Sequence, residues 1–383
     1  MNLSEFTKEN IKFVDYKPYY EISKKYNPIL KKFYNEIKQS KDKVDKTCFF
    51  NVNNGLILEK ANLNSSMWLP SQIKDYIDIT DYYLFKYSKK VDDKFSIDIK
   101  IYLEEDELNN LDNIRNYIKL IIIWFVFIVN YSNKECYNTI SVILYLTDFK
   151  KRLPESSIHV LEPFNVNTGY TTRCDLGNIT IYRKEEWFKV LIHESIHYLG
   201  LDFGVENHNL NSIFPIDTEI SLAETYVEFW ARIFNIYFIS FNLTIDKGYD
   251  EFKMLSTYFM DVEKHFSINQ CNKVLKFMGL SYHDLIGKKD IHLMKRKLYK
   301  ERTNVFSYYI LTCILMNDPV KFIIWCKNNN LNIVKMNLEN ISKFEEYIKK
   351  NYKSKDLLSS MKKPNVFKTS EDDNLRMTIL ELI

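Results

Sequence analysis

The stretch Val190 to Asp202, VLIHESIHYLGLD, holds His193, Glu194 and His197 in the order HExxH. On a helix, residues i and i+4 share a face, with Cβ atoms about 5–6 Å apart. Two imidazoles at that spacing reach one ion at about 2.0–2.1 Å, the usual zinc–nitrogen distance. Glu194 sits at the edge of the same face, where it can take a proton from a metal-held water without itself binding the metal. That division of labour is the chemistry of a zinc hydrolase. The same residues also read as two hydrogen-bonded core histidines and a capping glutamate. Against that reading, Phe188, Val190, Leu191, Ile192, Ile196 and Leu199 make the helix apolar on most sides. Such a helix is buried, and polar groups on one strip of it are costly unless something pairs with them. Gly200 is placed to end the helix.

A zinc hydrolase needs a third protein ligand and keeps the fourth position for water. In the spacing HExxHxxGxxH, Gly200 falls on the glycine, but Phe203 occupies the ligand position and Asp202 lies one residue too early. Further on, Glu219 to Arg232 reads EISLAETYVEFWAR and offers Glu219, Glu224 and Glu228. Glu224 and Glu228 share a helix face. One can bind zinc while the other accepts the outer N–H of a ligating histidine. Spacing alone does not rank them.

The segment from Asn178 to Arg232 resembles the gluzincin metallopeptidases, whose second helix carries E-x-[FY]-[AV]-E-x-[FW]. Here that pattern is Glu224-Thr225-Tyr226-Val227-Glu228-Phe229-Trp230. The resemblance implies one zinc per chain held by His193, His197 and Glu224, with Glu194 as general base and Glu228 behind a ligating histidine. It also implies a zincin-like α+β fold and hydrolysis of peptide bonds. Glu228 as ligand would put cationic Arg232 in the outer position, which is chemically worse. The wording IYRKEEWFKVLIHESIH, followed by AETYVEFWA, also resembles predicted metallopeptidases of large nucleocytoplasmic DNA viruses. A GxMEN signature is absent, so an endopeptidase is expected rather than an exopeptidase. Enzymes of this kind stabilise the tetrahedral oxyanion with a Tyr or His. Tyr308 and Tyr309 are the candidates, with His208, His283 and His292 behind them. The competing class is a non-catalytic zinc-binding or inactive relative that acts as a binding partner; a purely structural site has no need of Glu194.

The chain has 383 residues, 46% hydrophobic and 15% aromatic, ample for a large core. A net charge of +3 is too small to point to nucleic acid. Cysteines 48, 136, 174, 271, 313 and 326 are scattered with no CxxC. That argues against a disulfide framework or a cysteine–zinc site and leads to the expectation of a reducing, cytoplasmic location, whether in a host cell or a virion. MNLSEFTKEN lacks the apolar core of a signal peptide. The longest apolar run, Leu120 to Val129, is ten residues, short of the ~20 that span a bilayer, so no membrane span is expected. The expected partner is a peptide or protein substrate.

Three parts are expected: an N-terminal extension over 1–75, a zincin-like core over 76–240 and a helical lobe over 241–383. The extension shows a helical stretch from Lys31 to Lys43 and a turn at Gly55. In the core, Asp81–Lys90 and Phe95–Glu104 read as a hairpin. Phe95, Ile97, Ile99, Ile101 and Leu103 alternate onto one face. Leu108, Leu111, Ile114, Ile118, Ile121, Phe125 and Ile128 recur at three and four, giving a long helix. Thr139–Thr147 and Asn178–Arg183 read as strands. The second runs straight into the motif helix; the gluzincin resemblance implies that it is the edge of the sheet, free to pair with an extended substrate. Beyond Phe241, helices are predicted near 251–266, 269–278, 304–316, 319–329, 339–351 and 371–382.

Overall fold

The computed structural model describes residues 2–12, 23–47, 57–61, 63, 66–91, 93, 95–133, 136, 138–173, 177–204, 208–365, 367 and 373–382. Six strands form one mixed sheet: β1 (Ile57–Lys60), β2 (Asp81–Lys90), β3 (Ser96–Leu103), β4 (Thr139–Thr147), β5 (Gly169–Tyr170) and β6 (Asn178–Arg183). Their order is β1-β2-β3-β4-β6-β5. The β3, β4 and β6 strands run parallel and the outer pairings are antiparallel. Mixed pairing of this kind, with helices gathered around it, is an α+β arrangement.

The alternation in β3 does its expected work: Ile97, Ile99, Ile101 and Leu103 enter the main core. The opposite face is not wholly solvated. Tyr82, Tyr102, Tyr145 and Tyr182 project there and are covered by Ile73 and Ile77 of the helix Ser71–Ile79. Tyr102 and Tyr145 stack at 4.5 Å. All four are buried, and Tyr182 satisfies its hydroxyl by donating to the carbonyl of Trp68.

The strand entering the motif helix is not the edge. The chain before it folds back as β5, with Gly169 opposite Ile181 and Tyr170 opposite Thr180. Glycine is needed at this crossing, because a Cβ on Gly169 would meet Ile181 Cδ1 at 2.7 Å and Thr180 O at 2.8 Å. The edge is therefore the two-residue β5.

The helix Leu111–Ile128 packs chiefly on the helix Asn27–Thr47. The stretch Asp112–Tyr131 is long and apolar enough to cross a membrane by length and composition, but most of it is buried inside the protein. Its Trp124 Nε1 donates to Ser195 Oγ of the motif helix at 2.7 Å. The polar stretch around Lys31 belongs to the helix Asn27–Thr47, whose Phe33 packs edge-on to Phe234. The expected turn at Gly55 falls outside the described residues.

In the C-terminal half, 251–266 and 269–278 are one continuous helix, Tyr249–Phe277, ended by Gly279 at φ +73°. Pro319–Asn329 and Ile341–Asn351 follow the pattern read from sequence. The segment from Asn374 to Leu382 is irregular, bent at Met377 and Ile379, rather than helical. Its amides go to buried carboxylates: Met377 and Thr378 N–H to Glu186, Ile379 and Leu380 N–H to Glu263. Those tertiary partners replace the i→i−4 ladder. Cys271, Cys313 and Cys326 are buried free thiols. Cys136 is disulfide-bonded, whereas the scattered cysteines argued against a disulfide framework.

Candidate functional site

Two helices build the site. The motif helix, Trp187–Tyr198, is buried along nearly its whole length. Gly200 at φ +60° ends it, with Gly200 N–H bonded to His197 O and Leu201 N–H to Ile196 O. The glutamate helix, Leu222–Leu243, starts at Ser221, whose hydroxyl accepts from Glu224 N at 3.1 Å. That cap fixes the first turn, where Glu224 lies.

His193, His197 and Glu224 present ligand atoms within 4.8 Å of one another. Glu224 Oε2 stands 3.1 Å from His193 Nε2 and 3.4 Å from His197 Nε2. Two ligands about 2.0–2.1 Å from one tetrahedral zinc lie roughly 3.3 Å apart, so the three atoms suit such an ion. Both outer ring nitrogens are engaged by carboxylates. His193 Nδ1 bonds Glu228 Oε2 at 3.1 Å and His197 Nδ1 bonds Asp202 Oδ2 at 2.8 Å. This turns both Nε2 atoms toward Glu224, the tautomer and orientation that metal binding requires. His197 Nε2 is buried with no hydrogen bond of good geometry. An orphaned buried nitrogen facing a carboxylate is a donor set without its acceptor.

Burial alone would lower both histidine pKa values; the carboxylates outweigh it and raise them, His197 strongly through Glu224 and Asp202. Burial would likewise raise Glu224, but His197 and His193 hold it far below the usual range. Glu194 faces the same cavity and has no hydrogen bond to the described residues. Burial pushes its carboxyl up, against the pull of His193 and His197.

The cavity is about 200 Å³ and runs from Glu194 and the two histidines past Thr168, Gly169 and Val190 to Met377. Tyr308 enters it. Its hydroxyl donates to Glu224 Oε2 at 3.0 Å and its ring lies edge-on to His193. Tyr308 belongs to a π-helical turn, Phe306–Leu311; such turns carry one extra residue and often occur at functional sites. Tyr309 points the other way, donating to Leu375 O. His208 bonds Ile220 O, and His283 and His292 meet edge-to-face beside Asp284, away from the cavity. Glu219 is exposed ahead of the helix.

Behind the histidines lies a second set of charges. Glu228 accepts from Lys189 Nζ at 3.0 and 3.1 Å and from Arg232 Nε at 2.8 Å. Arg232 also donates to Ser267 Oγ and to the carbonyl of Tyr308. At the start of the motif helix, Glu186 adopts φ +60°. Lys151 Nζ at 2.6 Å and the amides of Met377 and Thr378 hold its carboxylate there. Asp202 and Lys189 were not legible as part of the site. Asp202 entered the sequence only as a misplaced ligand, and Lys189 sat in an apolar run with no spacing to mark it.

Over 147 residues the chain is 29% identical to an uncharacterised protein of Acanthamoeba polyphaga mimivirus; the match covers 37% of this chain and 35% of that protein. The matched part thus spans about a third of the relative's length. No family model matches the chain, and neither does any solved structure.

Proposed function

We propose that the chain is a zinc-dependent peptidase of the gluzincin type, acting within peptide chains, with a zincin-like core around the HExxH helix. The observation that carries this reading is the convergence of His193 Nε2, His197 Nε2 and Glu224 Oε2 in one cavity beside a carboxylate that bonds to none of them. His193, His197 and Glu224 would hold the ion. Zinc, when bound, supplies a Lewis acid that polarises a carbonyl and lowers the pKa of water.

The chain's own residues do the rest. Glu194 takes the proton of the attacking water and returns it to the leaving amine. Its raised pKa brings it closer to the neutral range, where one group serves as both base and acid. Tyr308 donates its hydroxyl proton to the carbonyl oxygen as negative charge develops there. Substrate backbone pairs with β5. Tyr182 N–H bonds Thr168 O, so by antiparallel alternation Gly169 turns its N–H and C=O away from β6. Gly169 lines the cavity, and an extended peptide laid along it meets those groups in register.

The test is Glu194→Gln in purified protein. The variant should keep about one zinc per chain while losing hydrolysis of a quenched-fluorescence peptide library. Parent-like activity in the variant, or folded parent that takes up no zinc, overturns the reading.

A further inference from the structure

The short helix Asp290–Arg296 is docked the wrong way round for a soluble surface. Three of its polar side chains, those of His292, Lys295 and Arg296, turn toward the protein. His292 Nδ1 bonds Asp284 Oδ1 at 2.9 Å, Lys295 Nζ bonds Asp284 Oδ2 at 3.2 Å, and Arg296 Nε donates to the Asp284 carbonyl at 3.0 Å. The helix packs chiefly on the preceding helix Tyr282–Ile286. Ile291, Met294 and Leu298, at i, i+3 and i+7, are left on the outer side, 54%, 67% and 53% exposed. Scattered exposed apolar residues need no explanation, but a stripe of three on one protruding element does. Leu298 also lines a groove of about 330 Å³ together with Ile158, Phe277, Met278, Lys276 and Lys300. Ile158 is 88% exposed at its rim.

Around this stripe the charge is of one sign. Lys288, Lys289, Lys297 and Lys300 are exposed, against a single exposed carboxylate, Asp290, in the same stretch. Protein–protein interfaces enrich aromatic residues and deplete lysine. Here the exposed apolar residues are Ile, Met and Leu, and the rim is lysine. Single-stranded nucleic acid is gripped by stacking on aromatic rings, and the stripe offers none. Apolar side chains that can enter the acyl boundary, ringed by ammonium groups at headgroup level, match an anionic bilayer surface.

We propose that this face docks on the surface of an anionic lipid bilayer, with Ile291, Met294 and Leu298 inserted and the four lysines on the headgroups. The full chain should co-sediment with mixed phosphatidylcholine–phosphatidylserine vesicles, not with phosphatidylcholine alone, and less so as salt rises. Replacing Lys288, Lys289, Lys297 and Lys300 together by Ala should weaken binding on the order of 100-fold or more, at roughly fivefold per lysine. Ile291→Asn with Met294→Asn, which leaves the charge unchanged, should weaken it at least about 10-fold. No binding of the parent to anionic vesicles overturns the proposal, as does parent-like binding by the Asn pair. So does stripe-dependent dimerisation in sedimentation without vesicle binding, or duplex DNA binding that survives the Asn pair. The lysine variant keeps the test decisive if the Asn pair does not fold.

Discussion

The triad of His193, His197 and Glu224 and the charged cluster behind it use the same chemistry, imidazole, carboxylate and cation, within one turn of one another. They differ in how far their hydrogen bonds are met. Glu228 is fully buried and accepts from His193, Lys189 and Arg232. Glu224 lies at the cavity, and the His197 nitrogen facing it is left without a good partner. A saturated buried ion cluster is scaffold, because removing one member strands the others. An unsaturated one asks for a ligand. What separates structure from site here is the completeness of the bonding, not the identity of the residues.

The sharpest way to break that contrast is to truncate each glutamate in zinc-free protein. Glu228→Ala leaves Lys189 and Arg232 buried without their carboxylate and should cost about 3–5 kcal/mol in urea unfolding. Glu224→Ala, at the cavity, should cost less than about 1 kcal/mol, yet the variant should take up far less zinc when the metal is added back. Equal costs would erase the distinction between scaffold and site.

Tyr308 belongs to both regions, since Arg232 holds its carbonyl and its hydroxyl enters the cavity. Tyr308→Phe should lower kcat about 10²–10³-fold with zinc content unchanged, which metal analysis beside steady-state kinetics would read out. A fall in bound zinc instead would move Tyr308 from the reaction to the fold.

The cluster should also show in the pH dependence of stability. Burial raises Glu263 to about 7, against the pull of Arg232 and Thr378, from an ordinary 4.5. A carboxyl that binds its proton more tightly when folded gives stability that is full below about pH 4.5 and lost as pH rises through 7. This group alone should contribute a decline on the order of 2–3 kcal/mol over that window. Glu263→Gln should flatten it; an unchanged slope would show that other groups set it.

Asp202→Ala is the gentlest probe. It frees His197 Nδ1 without touching a donor to the ion, and zinc affinity should fall about 10–100-fold in a competing-chelator titration. His197→Ala should fall further. If the two lose zinc equally, Asp202 does more than orient the ring.

Legibility in the sequence follows the range of the forces involved. The alternation of Ile97, Ile99 and Ile101 and the i, i+4 spacing of His193 and His197 are local signals, and the chain displays them openly. Gly200 ends its helix for a reason that its own backbone supplies. The cover over β6 was invisible because two residues carry no period, and only the close approach at Gly169 marks the crossing. Asn374 to Leu382 has apolar residues at helical spacing, yet it is not helical, because Glu186 and Glu263, distant in sequence, take its amides. Asp202 reaches His197 only after the chain turns at Gly200, so a fixed ligand spacing passed it by.

That C-terminal segment also bears on how the molecule assembles. Glu186, at the head of the motif helix, is met by amides 191 and 192 positions away, and Thr7 Oγ1 donates to Ile379 O across 372. Contacts so distant reward the chain only after large loops have closed, which slows their formation. In refolding, the sheet hairpin and the long helices should therefore appear well before the head of the motif helix is clamped. Zinc affinity would then be the last property to recover, lagging behind secondary structure.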